Sequence, residues 1–139
     1  MKSKMIVVLT ICVVVFLWML IYIVASRKCS GDIIIDYNNS YLNEFVIEEN
    51  TVYIKCQVYI INNSNKAKSF NIYATSYEDE GTLLKTPDLY SVDSNDNEKT
   101  YRIKPKYKGY FTVIFAGEYG GINTKYDRNI PDNIWIMEL

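Results

Sequence analysis

The chain has 139 residues, with 15 Lys and Arg, 16 Asp and Glu and no His, which gives a formal net charge of −1. The absence of histidine excludes Ser-His-Asp and Cys-His nucleophiles, zinc sites with imidazole ligands and the usual proton shuttle. Without the four basic residues that flank the first apolar segment, residues 29–139 carry 11 Lys and Arg against 16 Asp and Glu, a net charge of −5. We expect no nucleic-acid partner for a domain of this charge.

The first element in chain order is an apolar run over residues 5–26, MIVVLTICVVVFLWMLIYIVAS, which has no charge, Pro or Gly. A helix of this run rises about 33 Å, enough to cross a hydrocarbon layer of about 30 Å. A cleaved signal peptide has a shorter apolar region of about 7 to 15 residues, whereas this run ends directly at Arg27 and Lys28. We therefore predict a retained transmembrane signal anchor.

The charges that flank the run predict its orientation. Lys2, Lys4 and the terminal amine precede it, and Arg27 and Lys28 follow it, so the positive-inside rule favours a cytoplasmic amino terminus by one charge. The expected organisation is a cytoplasmic tail over 1–4, a transmembrane helix over 5–26, a juxtamembrane linker over 27–31 and an extracytoplasmic domain over 32–139. This organisation predicts a single-pass protein of the cell membrane. The run has no GxxxG pattern, so we expect a monomer.

The linker is too short to let the domain leave the membrane surface. Only Cys29, Ser30 and Gly31 separate Lys28 from the domain, and three extended residues reach about 10 Å. The lipid bilayer is therefore the first expected partner. A membrane or envelope protein, or an anionic envelope polymer, is the second.

From Asp32 onward the apolar residues alternate with a period of two, which is typical of half-buried strands. The clearest case is Thr51–Ile61, and the turn cluster Asn62–Asn65 after it predicts a hairpin with Ser69–Tyr77. Glycine, proline and Asn/Asp clusters separate the further predicted strands, which are Ile33–Tyr37, Glu44–Glu48, Thr82–Lys85, Leu89–Val92, Thr100–Lys104, Tyr110–Glu118 and Ile134–Glu138. Seven to nine short strands without an amphipathic helix predict an all-β domain, an immunoglobulin-like antiparallel β-sandwich.

Three segments carry a resemblance to a known group of domains. They are the predicted hairpin VYIINNSNKAKSFNIYA, the segment TYRIKPKYKGYFTVIFAGEYG and the end RNIPDNIWI. Over residues 32–139 the chain resembles the small extracytoplasmic immunoglobulin-like domains of Gram-positive bacterial lipoproteins and membrane-anchored proteins of unassigned role. The resemblance implies an accessory or binding module and supplies no functional residues. An antibody-type domain is excluded, because Val113 stands where its strand F cysteine would lie.

A row of cations in the second half of the domain is the first candidate site. Arg102, Lys104, Lys106 and Lys108 alternate with other residues, so on one strand they would form a basic face for anionic lipid or polymer phosphate. The alternative interpretation is edge protection, since lysines and a nearby proline on an edge strand deter pairing with another chain.

The second candidate site is a polar loop near the carboxyl terminus. Its predicted contact residues are Tyr119, Gly120, Gly121, Asn123, Tyr126 and Arg128. The glycines permit a ligand to approach the backbone, and the tyrosines offer amphipathic contact surface. The competing explanation is that these tyrosine side chains cover a face of the sheet.

Neither cysteines nor carboxylates predict a metal site or a cofactor. Cys56 falls on the apolar face of its strand, which favours a buried thiol over a disulfide with Cys29. The acidic segment that starts at Asp93 lacks the glycine and the final glutamate of a calcium loop, because Glu98 and Lys104 occupy those positions.

The function expected from these observations is a non-catalytic binding or accessory module at the outer membrane surface. One alternative is a membrane-bound immunity or envelope-stress protein that intercepts a peptide or toxin at the bilayer. A second alternative is a hydrolase with a catalytic pair that lacks histidine.

Overall fold

The computed structural model describes residues 10–22, 31–123 and 128–139, and it divides into two compact units, Met1–Gly31 and Asp32–Leu139. In the first unit residues 10–22 are helical, with exposed apolar side chains such as Trp18 and Ile21. Within the part of the chain that the structure describes, no helix is both long enough and apolar enough to cross a membrane. Residues 5–9 and 23–26 of the predicted anchor lie outside the described residues, as do the tail 1–4 and residues 27–30 of the linker.

The second unit consists of antiparallel strands, as its alternating sequence predicts. The strands are β1 (Ile33–Glu48), β2 (Thr51–Asn62), β3 (Lys68–Thr75), β4 (Asp88–Ser91), β5 (Thr100–Ile103), β6 (Lys108–Glu118) and β7 (Asn133–Glu138), and a short 3₁₀ helix covers Tyr77–Asp79. They form one sheet in the order β1-β2-β6-β4-β3-β5, and β7 pairs with the other side of β3. The prediction of a largely antiparallel β domain is confirmed.

The sheet curls so that its apolar face closes on itself. Along β2 every second residue from Val52 to Asn62 is buried, and β3 and β5 show the same alternation. Phe70 of β3 contacts Phe111 of β6 across this interior, with ring centroids 6.1 Å apart. Two layers, β1-β2-β6 and β5-β3-β7, therefore share one core, and the short ladder between β4 and β6 joins them.

One long strand replaces the two strands predicted near the start of the domain. The predicted break around residues 38–43 contains irregular pairing on β1, between Asp36 and Tyr41 and between Leu42 and Glu44. The Asp36 carboxylate accepts hydrogen bonds from the backbone amides of Asn38 and Asn39, so the extra residues fold locally. The strand then continues to the β1–β2 turn, where Glu49 has φ 51°.

The predicted hairpin between β2 and β3 is wrong. Both edges of β2 are occupied, one by β1 and the other by β6, so residues 63–67 cross from one layer to the other. The strand does end in the predicted turn cluster, since residues 64–66 are bends, but turn composition does not specify which strands pair. The predicted strand Thr82–Lys85 is also wrong, because the segment consists of a turn, an isolated bridge at Leu84 and a bend, with Leu83 and Leu84 buried.

Tyr37 links the two outer strands of the curled sheet. The Tyr37 hydroxyl of β1 accepts a hydrogen bond from the Ile134 amide of β7 (2.6 Å) and donates one to the Ile134 carbonyl (2.7 Å). Ile134 is buried, so its backbone groups need such partners. Tyr37 thus closes the seam between β1 and β7.

Candidate functional site

Strand direction and pairing give the domain two ends with different charge. Ile33 pairs with Asn62, Ile61 with Lys108 and Lys68 with Ile103, which places residues 32, 62–68, 102–108 and 138–139 at one end, the basic end. Residues 48–51, 75–88, 118–123 and 128–133 lie at the other end, the acidic end. Asp32, the first residue of the domain, belongs to the basic end, because its carbonyl accepts a hydrogen bond from the Asn63 amide (2.8 Å).

The four predicted cations meet at the basic end, although not on one strand. Arg102 is exposed on β5, Lys104 and Lys106 lie in the turn after it, and Lys108 begins β6. The prediction of a period-two strand face is wrong because the backbone reverses here, with Lys106 in the left-handed region at φ 55°. The turn nevertheless keeps all four cations exposed at one end, together with Lys66.

Asn62 fixes the two loops that carry these cations. Its buried side-chain amide donates hydrogen bonds to the carbonyls of Lys66 (2.9 Å) and Lys104 (3.0 Å). Its backbone amide donates to the Tyr107 carbonyl (2.9 Å), and the Lys106 amide donates to the Ser64 carbonyl (3.1 Å). A satisfied buried amide of this kind holds both loops in one arrangement.

Acidic side chains at the basic end are already engaged. Lys68 Nζ lies 3.0 Å from Asp32 Oδ2 and 3.0 Å from Glu138 Oε2. The hydrogen bond to Asp32, and then the one to Glu138, raise the pKa of Lys68. The carboxylates of Asp32 and Glu138 at this end are therefore paired with Lys68 and not with the exposed cations at 102–108.

A cavity of about 280 Å³ opens beside these cations, between β5 and the first half of β6. It is lined by Arg102, Ile103, Lys104, Tyr107, Tyr110 and Phe111. Tyr107 and Tyr110 are about half exposed. Cations with exposed tyrosines suit a membrane–water interface, where amphipathic rings lie at the level of the headgroups.

The predicted ligand loop lies at the acidic end, and several of its residues have packing contacts. Tyr119 is partly buried against the core, and the Gly120 amide donates to the Leu83 carbonyl (2.7 Å). A Cβ at Gly120 would lie 2.3 Å from the Thr82 carbonyl oxygen, and Gly121 has φ 94°, so both glycines are required by the chain itself.

Arg128 and Asn123 of the same loop contact each other. Arg128 Nη2 donates to Asn123 Oδ1 (2.6 Å), and Arg128 Nη1 lies 3.5 Å from Asp79 Oδ1. The guanidinium also covers the Phe45 ring at 4.3 Å from its centroid. Arg128 thus anchors the loop to the domain. Tyr126 lies outside the described residues, and a ligand role for the loop stays a prediction.

Aromatic side chains form a second surface that sequence analysis did not identify. Tyr73 on β3 pairs directly with Trp135 on β7 and with Tyr90 on β4, so the three residues form one row across the outer face. The rings of Tyr73 and Trp135 stack at 4.5 Å with an interplanar angle of 23°. Alternation placed Tyr73 on the outer face, but only the sheet register reveals its neighbours.

A cavity of about 360 Å³ lies at this aromatic row. Its lining, which we call the aromatic slot, consists of Tyr73, Ala74, Thr75, Asp88, Leu89, Tyr90, Glu98 and Trp135. The Glu98 carboxylate accepts hydrogen bonds from Asn71 Nδ2 (2.9 Å) and from the Tyr73 hydroxyl, and the latter bond raises the pKa of Tyr73. The Thr75 hydroxyl oxygen is buried and has no hydrogen-bond partner among the described residues.

A third concavity, of about 350 Å³, lies between β1, β2 and the loop after β4. Glu44, Glu48, Asp93 and Asp96 line it beside Tyr53 and Lys55. The Tyr53 hydroxyl donates to Asp96 (3.0 Å), and this bond raises the pKa of Tyr53. Across the described ranges, no three His, Cys, Asp or Glu side chains are arranged to hold a metal ion.

Cys56 is a free thiol with none of its surface exposed, which confirms the prediction of a buried thiol. Desolvation by burial raises the pKa of this thiol to about 12, so it is not a nucleophile at neutral pH. Cys29 lies outside the described residues.

Comparisons of this chain with protein families, with curated proteins and with solved structures find no match.

Proposed function

We propose that this protein is a membrane-anchored, non-catalytic binding module whose β domain meets anionic lipid headgroups through its basic end. The observation that carries the proposal is the place where the chain enters the domain. Asp32 lies at the same end as Arg102, Lys104, Lys106 and Lys108, so a short linker from an anchor brings these cations to the bilayer. Each basic residue close to an anionic surface contributes about 1 kcal/mol.

The charge of the acidic end supports an orientation in which the basic end faces the bilayer. The described basic side chains at this end are Lys85 and Arg128, and the acidic ones outnumber them. The acidic residues are Glu48, Glu49, Glu78, Asp79, Glu80, Asp88, Glu118 and Asp132. An anionic surface attracts one end of such a domain and repels the other. The predicted anchor, the extracytoplasmic location and the resemblance to Gram-positive membrane-anchored domains are parts of this proposal.

For the fold we propose an immunoglobulin-like sandwich. Two antiparallel layers that face each other across one core support this assignment.

Hydrogen exchange of the full-length chain in lipid nanodiscs tests the proposed orientation. The amides of Lys104, Lys106 and Tyr107 should exchange more slowly on discs that contain phosphatidylglycerol than on discs of phosphatidylcholine alone. High salt should remove the difference, because it screens exposed charges. A chain that does not insert into either disc contradicts the anchor, and equal exchange on both discs contradicts the lipid contact.

A matched pair of variants separates position from total charge. Replacing Lys104, Lys106 and Lys108 by Gln should abolish the protection on anionic discs. Replacing Lys55, Lys85 and Lys99 by Gln removes the same charge elsewhere and should leave the protection intact. Equal loss in both variants would show that net charge, rather than the basic end, attracts the lipid.

A further inference from the structure

We propose that the aromatic slot binds an Arg or Lys side chain of a polypeptide partner. The rings of Tyr73 and Tyr90 belong to directly paired residues, yet no ring contact joins them among the described residues. Directly paired residues have Cβ atoms about 5 Å apart, so the absence of a ring contact means that the two side chains diverge. Both rings line the cavity of about 360 Å³, and its lining is largely apolar.

The charge of the slot selects a cation. Glu98 and Asp88 line it, whereas no Lys or Arg does within the described part of the chain. A cation above an aromatic face gains from the negative charge of the ring face, and the gain is larger where water is partly excluded. A nearby carboxylate adds a charge-assisted hydrogen bond.

Glu98 is oriented before any ligand arrives. Asn71 and the Tyr73 hydroxyl both donate to its Oε1 atom, and its other oxygen accepts no hydrogen bond from a described residue. The slot therefore contains a fixed carboxylate next to aromatic rings, which matches the donors of a guanidinium or ammonium group.

The position of the slot favours a polypeptide over a lipid headgroup. Thr75 pairs with both Asp88 and the β7 residue Asn133 at the acidic end, away from the basic end. This inference rests on the proposed orientation, in which the acidic end points away from the bilayer. A basic polypeptide segment is attracted to that end, and its side chain is long enough to enter the slot.

Titration of the full-length chain with a synthetic peptide tests the inference. Trp18→Phe leaves Trp135 as the one remaining tryptophan of the two, so its fluorescence reports on the slot. The chain is kept in dodecyl maltoside, whose neutral headgroup does not compete for the slot. The probe acetyl-Gly-Ser-Arg-Gly-Ser-amide should change the Trp135 emission saturably, and the same peptide with citrulline in place of arginine should bind at least tenfold more weakly.

Variants with matched controls locate the binding. Glu98→Gln and Tyr90→Leu should each weaken binding of the arginine peptide about fivefold or more. Glu44→Gln and Tyr41→Leu make the same changes at exposed positions outside the slot, and both should bind the peptide as the parent does. Circular dichroism confirms that each variant is folded.

Three results would overturn the inference: equal binding of the citrulline peptide, unchanged binding by the folded Glu98→Gln variant, or binding of free arginine amide as tight as that of the peptide. The micelles contain no anionic lipid, so a failed peptide titration is independent of whether the basic end binds lipid headgroups. Loss of lipid protection in nanodiscs with intact peptide binding would reject only the orientation.

Discussion

Cys56 lies in the middle of β2 with none of its surface exposed, and its chemistry follows from that burial. The thiol fits the apolar face between Ile54 and Val58, where a neutral sulfur group is favoured and a thiolate is not. Its pKa is therefore raised from 9.0 to about 12.

The raised pKa predicts a pH dependence of stability. Below pH 9 the Cys56 thiol is neutral in both the folded and the unfolded chain, whereas between about pH 9 and about pH 12 only the unfolded chain loses the proton. The free energy of unfolding should therefore fall as the pH rises through this range. Cys56→Ala should cost about 1–2 kcal/mol near neutral pH, because it leaves a small cavity.

Denaturant unfolding of both proteins in reductant measures this contribution. The stability difference between the parent and Cys56→Ala should shrink from about pH 8 to about pH 10.5, because only the parent has this thiol. Other groups that titrate between about pH 8 and about pH 10.5 contribute equally to both proteins, so their contributions cancel in the stability difference. A difference that stays constant with pH would contradict the raised pKa.

At the scale of elements, the Tyr37 side chain bridges the seam between β1 and β7. These two strands have no ladder between them within the described residues, and the Tyr37 hydroxyl supplies both hydrogen bonds to Ile134. A hydroxyl that both donates and accepts is suited to this position, since a buried amide and carbonyl each need a partner.

Tyr37→Phe should open this seam. The variant leaves the buried Ile134 amide without a partner, which should lower the free energy of unfolding by about 1–2 kcal/mol. Hydrogen exchange of the Ile134 amide should accelerate more than exchange in the centre of β2. Tyr41→Phe is the control, because no described residue forms a hydrogen bond with that hydroxyl. Similar exchange at Ile134 in both variants would show that the seam does not depend on Tyr37.

At the scale of the whole molecule, the β domain has an asymmetric charge distribution along its strand direction, with cations at one end and carboxylates at the other. The cations of 102–108 gather where the chain enters the domain, and the described carboxylates of the loops near residues 48, 78 and 88 gather at the opposite end. The proposed functions use both ends, one for anionic lipid and the other for a basic polypeptide.

Labelling of intact cells tests the predicted topology directly. In a chain with Cys12 and Cys29 replaced by Ser, an impermeant maleimide should label a Ser94→Cys variant in intact cells, because Ser94 is exposed on the domain. A Ser3→Cys variant should be labelled only after lysis. Cys56 is buried and should stay unlabelled in the folded protein. The reverse pattern would place the domain in the cytoplasm.

Local pattern in the sequence was sufficient to predict most strands and their buried faces. On β2 the alternation from Val52 to Ile60 predicted each buried residue, because successive side chains of a strand point to opposite faces. The two wrong strand assignments have local causes. A bulge at Asp36 joins two predicted strands, and the apolar residues Leu83 and Leu84 are buried from a turn.

The sequence by itself determined the largely antiparallel β class of the domain, the apolar run over residues 5–26, the buried thiol and the presence of a cationic segment. Only the tertiary structure decided that β2 pairs with β6 instead of β3, that the cations share one end with Asp32, and that Tyr90 and Trp135 flank Tyr73. The physical reason is that burial of apolar surface depends on area and not on direction. Alternation therefore specifies which face of a strand is buried, whereas the neighbour of each strand follows from how all the strands close around one core.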